Sequence, residues 1–122
     1  MDMRLELVPL PSTDVDRSKA FYVDQVGFHL DHDVEPGNGM RVVQLTPPGS
    51  ACSIVVGVGI SDPHAAPVLN LHHVVDDLEG ARGTLVSNGV DVSAIQDMGG
   101  GVRYAYFSDP DGNSWALQQI GG

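Results

Sequence analysis

Apolar and polar residues alternate along this chain in a way that breaks it into short strands and two helical stretches. Residues 5–10, Leu-Glu-Leu-Val-Pro-Leu, alternate weakly and predict a first strand. Pro9 and Pro11 have no N–H to donate, which confines that strand to a sheet edge. Ser12, Thr13 and Asp14 offer N-caps for a helix over residues 15–25, where Val15, Phe21, Tyr22 and Val26 return at helical spacing. Gly27 is its stop. Strands are then predicted over residues 28–34, 40–46 and 51–58, with turns at 35–39 and 47–49. This half reads β-α-β-β-β.

Residues 60–67 hold two prolines and read as a linker. The pattern then restarts. Residues 68–75 predict a strand, and Asp76 or Asp77 caps a helix that runs to about Ser87 and stops at Asn88-Gly89. Residues 90–96 predict another strand, followed by a flexible turn at Met98-Gly99-Gly100-Gly101. The chain closes with a hairpin over residues 104–119, its reversal at Asp109-Pro110-Asp111-Gly112-Asn113. Asp14 and Asp76 are 62 positions apart, as are Gly27 and Gly89. That shared offset and the repeated order of elements mark a duplicated unit. The expectation is one domain of two repeats, 1–59 and 68–122, joined by the linker 60–67.

Composition narrows the function. A net charge of −10 with only six Lys and Arg leaves no basic stripe to displace phosphate counterions, so nucleic acid is not an expected partner. The longest apolar run, residues 54–60, falls well short of the ~20 residues of a membrane helix. Residues 1–6 have no basic region followed by an apolar core, so no secretory signal is expected there. Cys52 stands alone, which excludes an internal disulfide and suits a reducing compartment; the expectation is cytoplasmic. Without a charged neighbour it reads as a small buried hydrophobe.

Several stretches together resemble the vicinal oxygen chelate superfamily of glyoxalases, bleomycin resistance proteins and extradiol dioxygenases. They are Asp14-Val15-Asp16-Arg17-Ser18-Lys19-Ala20-Phe21-Tyr22 with Gly27-Phe28, Val75-Asp76-Asp77 with Gly89-Val90, and Phe107-Ser108-Asp109-Pro110-Asp111-Gly112-Asn113. The resemblance implies an α+β fold of two βαβββ modules forming a half-open barrel around a central cavity, with the helices outside. It also implies a homodimer, which the edges of two small curved sheets independently favour.

Metal-dependent members of that family carry His, Glu or Gln at four positions lining the cavity. Counting from the motifs places three of them at Leu7, Asn70 and Ala116, and the fourth within Ser53-Ile54-Val55. Leu and Ala donate no lone pair, and a catalytic divalent site ordinarily takes three protein ligands, so no metal is expected. His72 shares a strand face with Asn70 by the two-residue period, whereas His73 points the other way; the pair cannot chelate one ion. His29 and His32 diverge by the same reasoning. Gly57-Val58-Gly59 lacks the third glycine and following helix of a dinucleotide fingerprint.

The carboxylates of residues 14–16 and 76–77 are helix caps before they are catalysts. Tyr104, Tyr106, Gln44, Arg41, Arg103, Gln118 and Trp115 can stack or hydrogen-bond in a pocket; alternation gives the cavity to Ala116 and Gln118 and sends Trp115 and Leu117 under the helices. Small Ala116 is expected to leave open volume. The cavity candidates are therefore Leu7, Asn70, His72, Tyr104, Ala116 and Gln118. The function they suggest is binding of a small organic molecule, with no cofactor. The alternatives are a divalent-metal lyase, isomerase or dioxygenase with relocated ligands, or a metal-free enzyme using His72 as acid or base.

Overall fold

Two units divide the chain between Pro67 and Val68 in the computed structural model, which describes residues 1–121. In the first, β1 (Leu7–Pro9) precedes α1 (Val15–Ala20), a wide π-type turn (Phe21–Val26), β2 (His29–Gly37), β3 (Met40–Thr46) and β4 (Ser53–Val58). The sheet order is β1-β4-β3-β2, with β1 parallel to β4 and the other pairs antiparallel. Pro9 thus lies on an edge strand, where a missing N–H costs least. The Asp14 side chain caps α1 by accepting from the Arg17 N–H at 3.1 Å. Gly27, at φ 91°, ends the helical stretch, and its N–H and that of Phe28 both reach the Tyr22 carbonyl.

The β2–β3 reversal is tighter than the sequence suggested. β2 continues to Gly37, and only Asn38 and Gly39 form the loop, both at positive φ. This is the two-residue Asn-Gly turn whose twist matches its strands. Pro36 escapes the ladder because the register shifts between Val34 and Gly37.

The second unit holds β5 (Leu71–Val74), α2 (Leu78–Ser87), β6 (Gln96–Asp97), β7 (Arg103–Ser108) and β8 (Ser114–Gln119). Its sheet order, β5-β8-β7-β6, repeats that of the first. The helix cap is Asp77, whose carboxylate accepts from the Gly80 N–H, so the caps stand 63 apart while the stop glycines stand 62 apart. The π-type turn explains the mismatch, since it admits one extra residue into the first helical stretch.

Within this unit two predicted strands shrink, as the first strand of the chain does from residues 5–10 to Leu7–Pro9. β5 begins only at Leu71, because Asn70 adopts φ 61° and leaves the ladder. Most of residues 90–96 form no ladder either. Arg82 of α2 donates to the Val92 and Ser93 carbonyls, so these acceptors are taken by a side chain.

The β7–β8 turn is tied by a buried carboxylate. Asp109 Oδ1 accepts from the backbone N–H of Asp111 and Asn113, and Oδ2 from the Asn113 side-chain amide. Asn113 Oδ1 in turn accepts from the Val68 N–H, joining the hairpin to the chain that enters β5. Replacing Asp109 leaves buried donors without an acceptor, which costs roughly 2–4 kcal/mol. Asp109→Ala should lower the urea midpoint accordingly; a loss below about 0.5 kcal/mol would show that the turn holds without its carboxylate.

Candidate functional site

The two-residue period of β7 and β8 sorts their side chains onto two faces. Arg103 pairs with Glu79 of α2 at 2.9 Å, and the Gln119 side chain accepts from the Leu78 N–H, so odd-numbered positions face the helix. Ala105, Phe107, Trp115 and Leu117 follow them into the core with Leu78 and Leu85. The even-numbered positions form the other face. There Tyr104 lies opposite Gln118, and Tyr106 opposite Ala116, which in turn neighbours His72 of β5.

Five of the six sequence candidates belong to this unit, and four gather on this face. The Tyr104 hydroxyl accepts from Gln118 Nε2 at 2.8 Å. Its ring meets His72 edge-on, with centroids 5.7 Å apart, and lies parallel to Tyr106 at 6.0 Å. His72 Nδ1 lies 2.7 Å from the Asn70 carbonyl, which only accepts, so Nδ1 carries a proton and Nε2 is the nitrogen left for a ligand. The result is a plate of aromatic rings with a fixed hydroxyl and an exposed imidazole along its edge. Such a plate stacks planar ligands and orients them with few polar contacts.

Two expectations need correction. Ala116 has no exposed surface, so it is filled-in floor, not open volume. Asn70 does not share a strand face with His72 through the pleat; its left-handed backbone takes it out of β5, and it lines a separate cavity of about 520 Å³. Tyr106, Ser93, Ser108 and Ser114 also line that cavity. Leu7 is in the first unit, on β1, opposite Ser53.

The first sheet carries a polar face that the sequence did not reveal. Leu30 stands opposite Leu45 and His32 opposite Gln44, a register shift that leaves Asp31 as an inserted residue. In a regular strand Asp31 and Asp33 would point the same way. Here Asp33 meets Arg41 and Lys19 of α1, while Asp31 accepts from Thr46 and, at 3.4 Å, from Gln44. Thr46 continues to Ser53 at 2.6 Å. The bulge also brings His29 and His32 opposite Thr46 and Gln44, positions of one face, so they do not diverge. Arg41 and Lys19 hold the Asp33 carboxyl well below the usual carboxylate range. Cys52 is half-buried in the loop before β4 and is not a core residue.

With the geometry established, comparison with known proteins gives the family. Residues 4–117 match the Glyoxalase/Bleomycin resistance protein/Dioxygenase superfamily. The chain belongs to this superfamily. TnmS3, an antibiotic binding protein from Streptomyces sp. CB03234, is 33% identical over 98% of this chain and 97% of its own, with a TM-score of 0.84. A glyoxalase/bleomycin resistance protein from the same organism is 35% identical over 95% and 100%, with a TM-score of 0.79. A superfamily member from Sphaerobacter thermophilus DSM 20745 is 27% identical over 98% of both chains, with a TM-score of 0.83. No curated protein matches significantly.

The superfamily's metal does not fit the residues at its expected positions. Leu7 and Ala116 supply no lone pair, and Asn70 stands outside its strand. Among the described residues no group of three or more His, Cys, Asp or Glu is placed to hold an ion. No helix among them is long and apolar enough to cross a membrane.

His73 faces the helix side. It stacks on Trp115, with centroids 4.2 Å apart, and burial pushes its pKa from the ordinary 6.5 down to about 4. Between those values the unfolded chain binds the proton and the folded chain does not. Stability present above pH 6.5 is therefore lost as the pH falls through about 4, by on the order of 3 kcal/mol. Urea unfolding of the native protein and of His73→Phe at pH 7 and 4.5 should show a smaller acid loss in the variant; equal losses would refute this role.

Proposed function

We propose that this superfamily member binds a small planar organic molecule on the even-numbered face of its second sheet, without a metal. The observation that carries the reading is the plate itself: Tyr104, Tyr106 and His72 in ring contact, with Gln118 fixing the Tyr104 hydroxyl. Apolar burial against the rings supplies most of the affinity, about 25 cal/mol per Å². Gln118 and His72 Nε2 then set orientation. The donor-poor residues at Leu7, Asn70 and Ala116 support the absence of metal. The full-length likeness to an antibiotic binding protein supports a natural product as ligand. Sequestration in the cytoplasm by a homodimer completes the proposal: a lone Cys52 suits a reducing compartment, and the exposed Leu5 and Leu7 of the first unit, like Leu69 and Val74 of the second, suit cover by a partner.

Protein purified without chelator should carry no stoichiometric metal, and titration with zinc, nickel and manganese should reveal no tight site. One tight site per chain would overturn the reading and favour a metal-dependent lyase, isomerase or dioxygenase. Sedimentation at micromolar concentration should give about twice the 12.9 kDa chain mass; a species at the chain mass alone would remove the dimer.

A further inference from the structure

The 520 Å³ cavity of the second unit adjoins the aromatic plate but has a different chemistry. The two share Tyr106. Asn70 links them as well, since its carbonyl accepts from His72 on the plate while the residue lines the cavity. The cavity exists because residues 90–95 leave the sheet. Ser93 stays attached to β7, exchanging bonds with the Tyr106 backbone through its N–H and its hydroxyl. Arg82 fixes the Val92 and Ser93 carbonyls from behind. The cavity wall is thus held at Val92 and Ser93, by Tyr106 on one side and by Arg82 on the other.

Its polar groups are only partly used by the protein. The side chains of Asn70, Asp91 and Ser108 are exposed to solvent, and among the described residues no other group pairs with them, so they are open to a ligand without breaking an internal bond. The Ser114 hydroxyl accepts from the Asn70 N–H at 2.8 Å and keeps its own proton to donate. Ser93 is the exception, since its hydroxyl accepts from the Tyr106 N–H and donates to the Ala94 carbonyl. Two hydroxyls, an amide and a carboxylate around one ring offer donors and acceptors in several directions at once. No Lys or Arg among the described residues lines the cavity, and Asp91 repels anions, so a phosphate or carboxylate is excluded. An unadorned hydrocarbon is disfavoured too, because it would leave these groups unpaired.

We infer that this cavity receives a polyhydroxylated ring, a neutral or amino sugar, carried by the planar ligand that stacks on the plate. The inference rests on the planar-ligand reading above and narrows it to aromatic glycosides. The aglycone lies on Tyr104 and Tyr106, and the sugar hydroxyls bond to Asn70, Asp91, Ser108 and Ser114.

The test compares methylumbelliferone with methylumbelliferyl β-glucoside, titrated into the full-length protein and followed by fluorescence. The glucoside should bind about tenfold more tightly, the worth of one or two net hydrogen bonds. The double variant Asn70→Gly, Ser108→Ala should lose that advantage yet bind the aglycone unchanged; Gly keeps the left-handed backbone at position 70, and Ser108 is exposed. Tyr104→Leu should weaken both compounds alike. If the aglycone binds but the glucoside binds no better, or its advantage survives the double variant, the sugar site is refuted while the planar-ligand reading stands. If neither compound binds, both readings fall.

Discussion

The Asp109 carboxylate is the constraint on which the second unit depends. By gathering the amides of Asp111 and Asn113 it sets the register of β7 against β8, and through Asn113 it also anchors the chain entering β5. Register decides faces, because a slip of one residue would exchange every side chain between them. With Phe107 opposite Trp115 and Tyr106 opposite Ala116, the apolar set meets α2 and the tyrosines lie on the other face. A structural carboxylate in the turn thereby places the rings of the candidate site.

The same logic operates in the first unit through a different device. There the extra residue at Asp31 divides two carboxylates that a regular strand would send the same way. Asp33 ties the sheet to α1 through Lys19 and Arg41, while Asp31 polarises the opposite face with Thr46 and Ser53. The two sheets share a strand order but differ in character: one presents hydroxyls around a carboxylate, and the other presents aromatic rings.

Much of this was legible in the chain itself. The order of elements, the edge position of Pro9 and the split of Trp115 from Ala116 follow from periodicity and turn chemistry, whereas it was the family resemblance that pointed to a cavity side for His72, Tyr104 and Gln118. What stayed hidden depends on partners distant in sequence. Arg82 captures the carbonyls of residues 92 and 93 and so prevents a strand that propensity favours. The left-handed backbone at Asn70 is supported by Ser114, 44 residues away, and it breaks the period that would have aligned Asn70 with His72. Neither the extra residue of the π-type turn nor the bulge at Asp31 leaves a mark in composition. Ala116 illustrates the limit best: a small residue predicts space, but neighbours can fill it.

The central claim is that a planar ligand occupies the even-numbered face of β7 and β8 without a metal. The most direct measurement is the amide and aromatic NMR spectrum of the protein titrated with a planar aromatic antibiotic, in the presence and absence of EDTA. The account predicts that the largest shifts fall on Tyr104, Tyr106, Ala116, Gln118 and His72, with the same affinity in both conditions. Shifts centred on the Asp31 face of the first sheet, or binding abolished by EDTA, would contradict it.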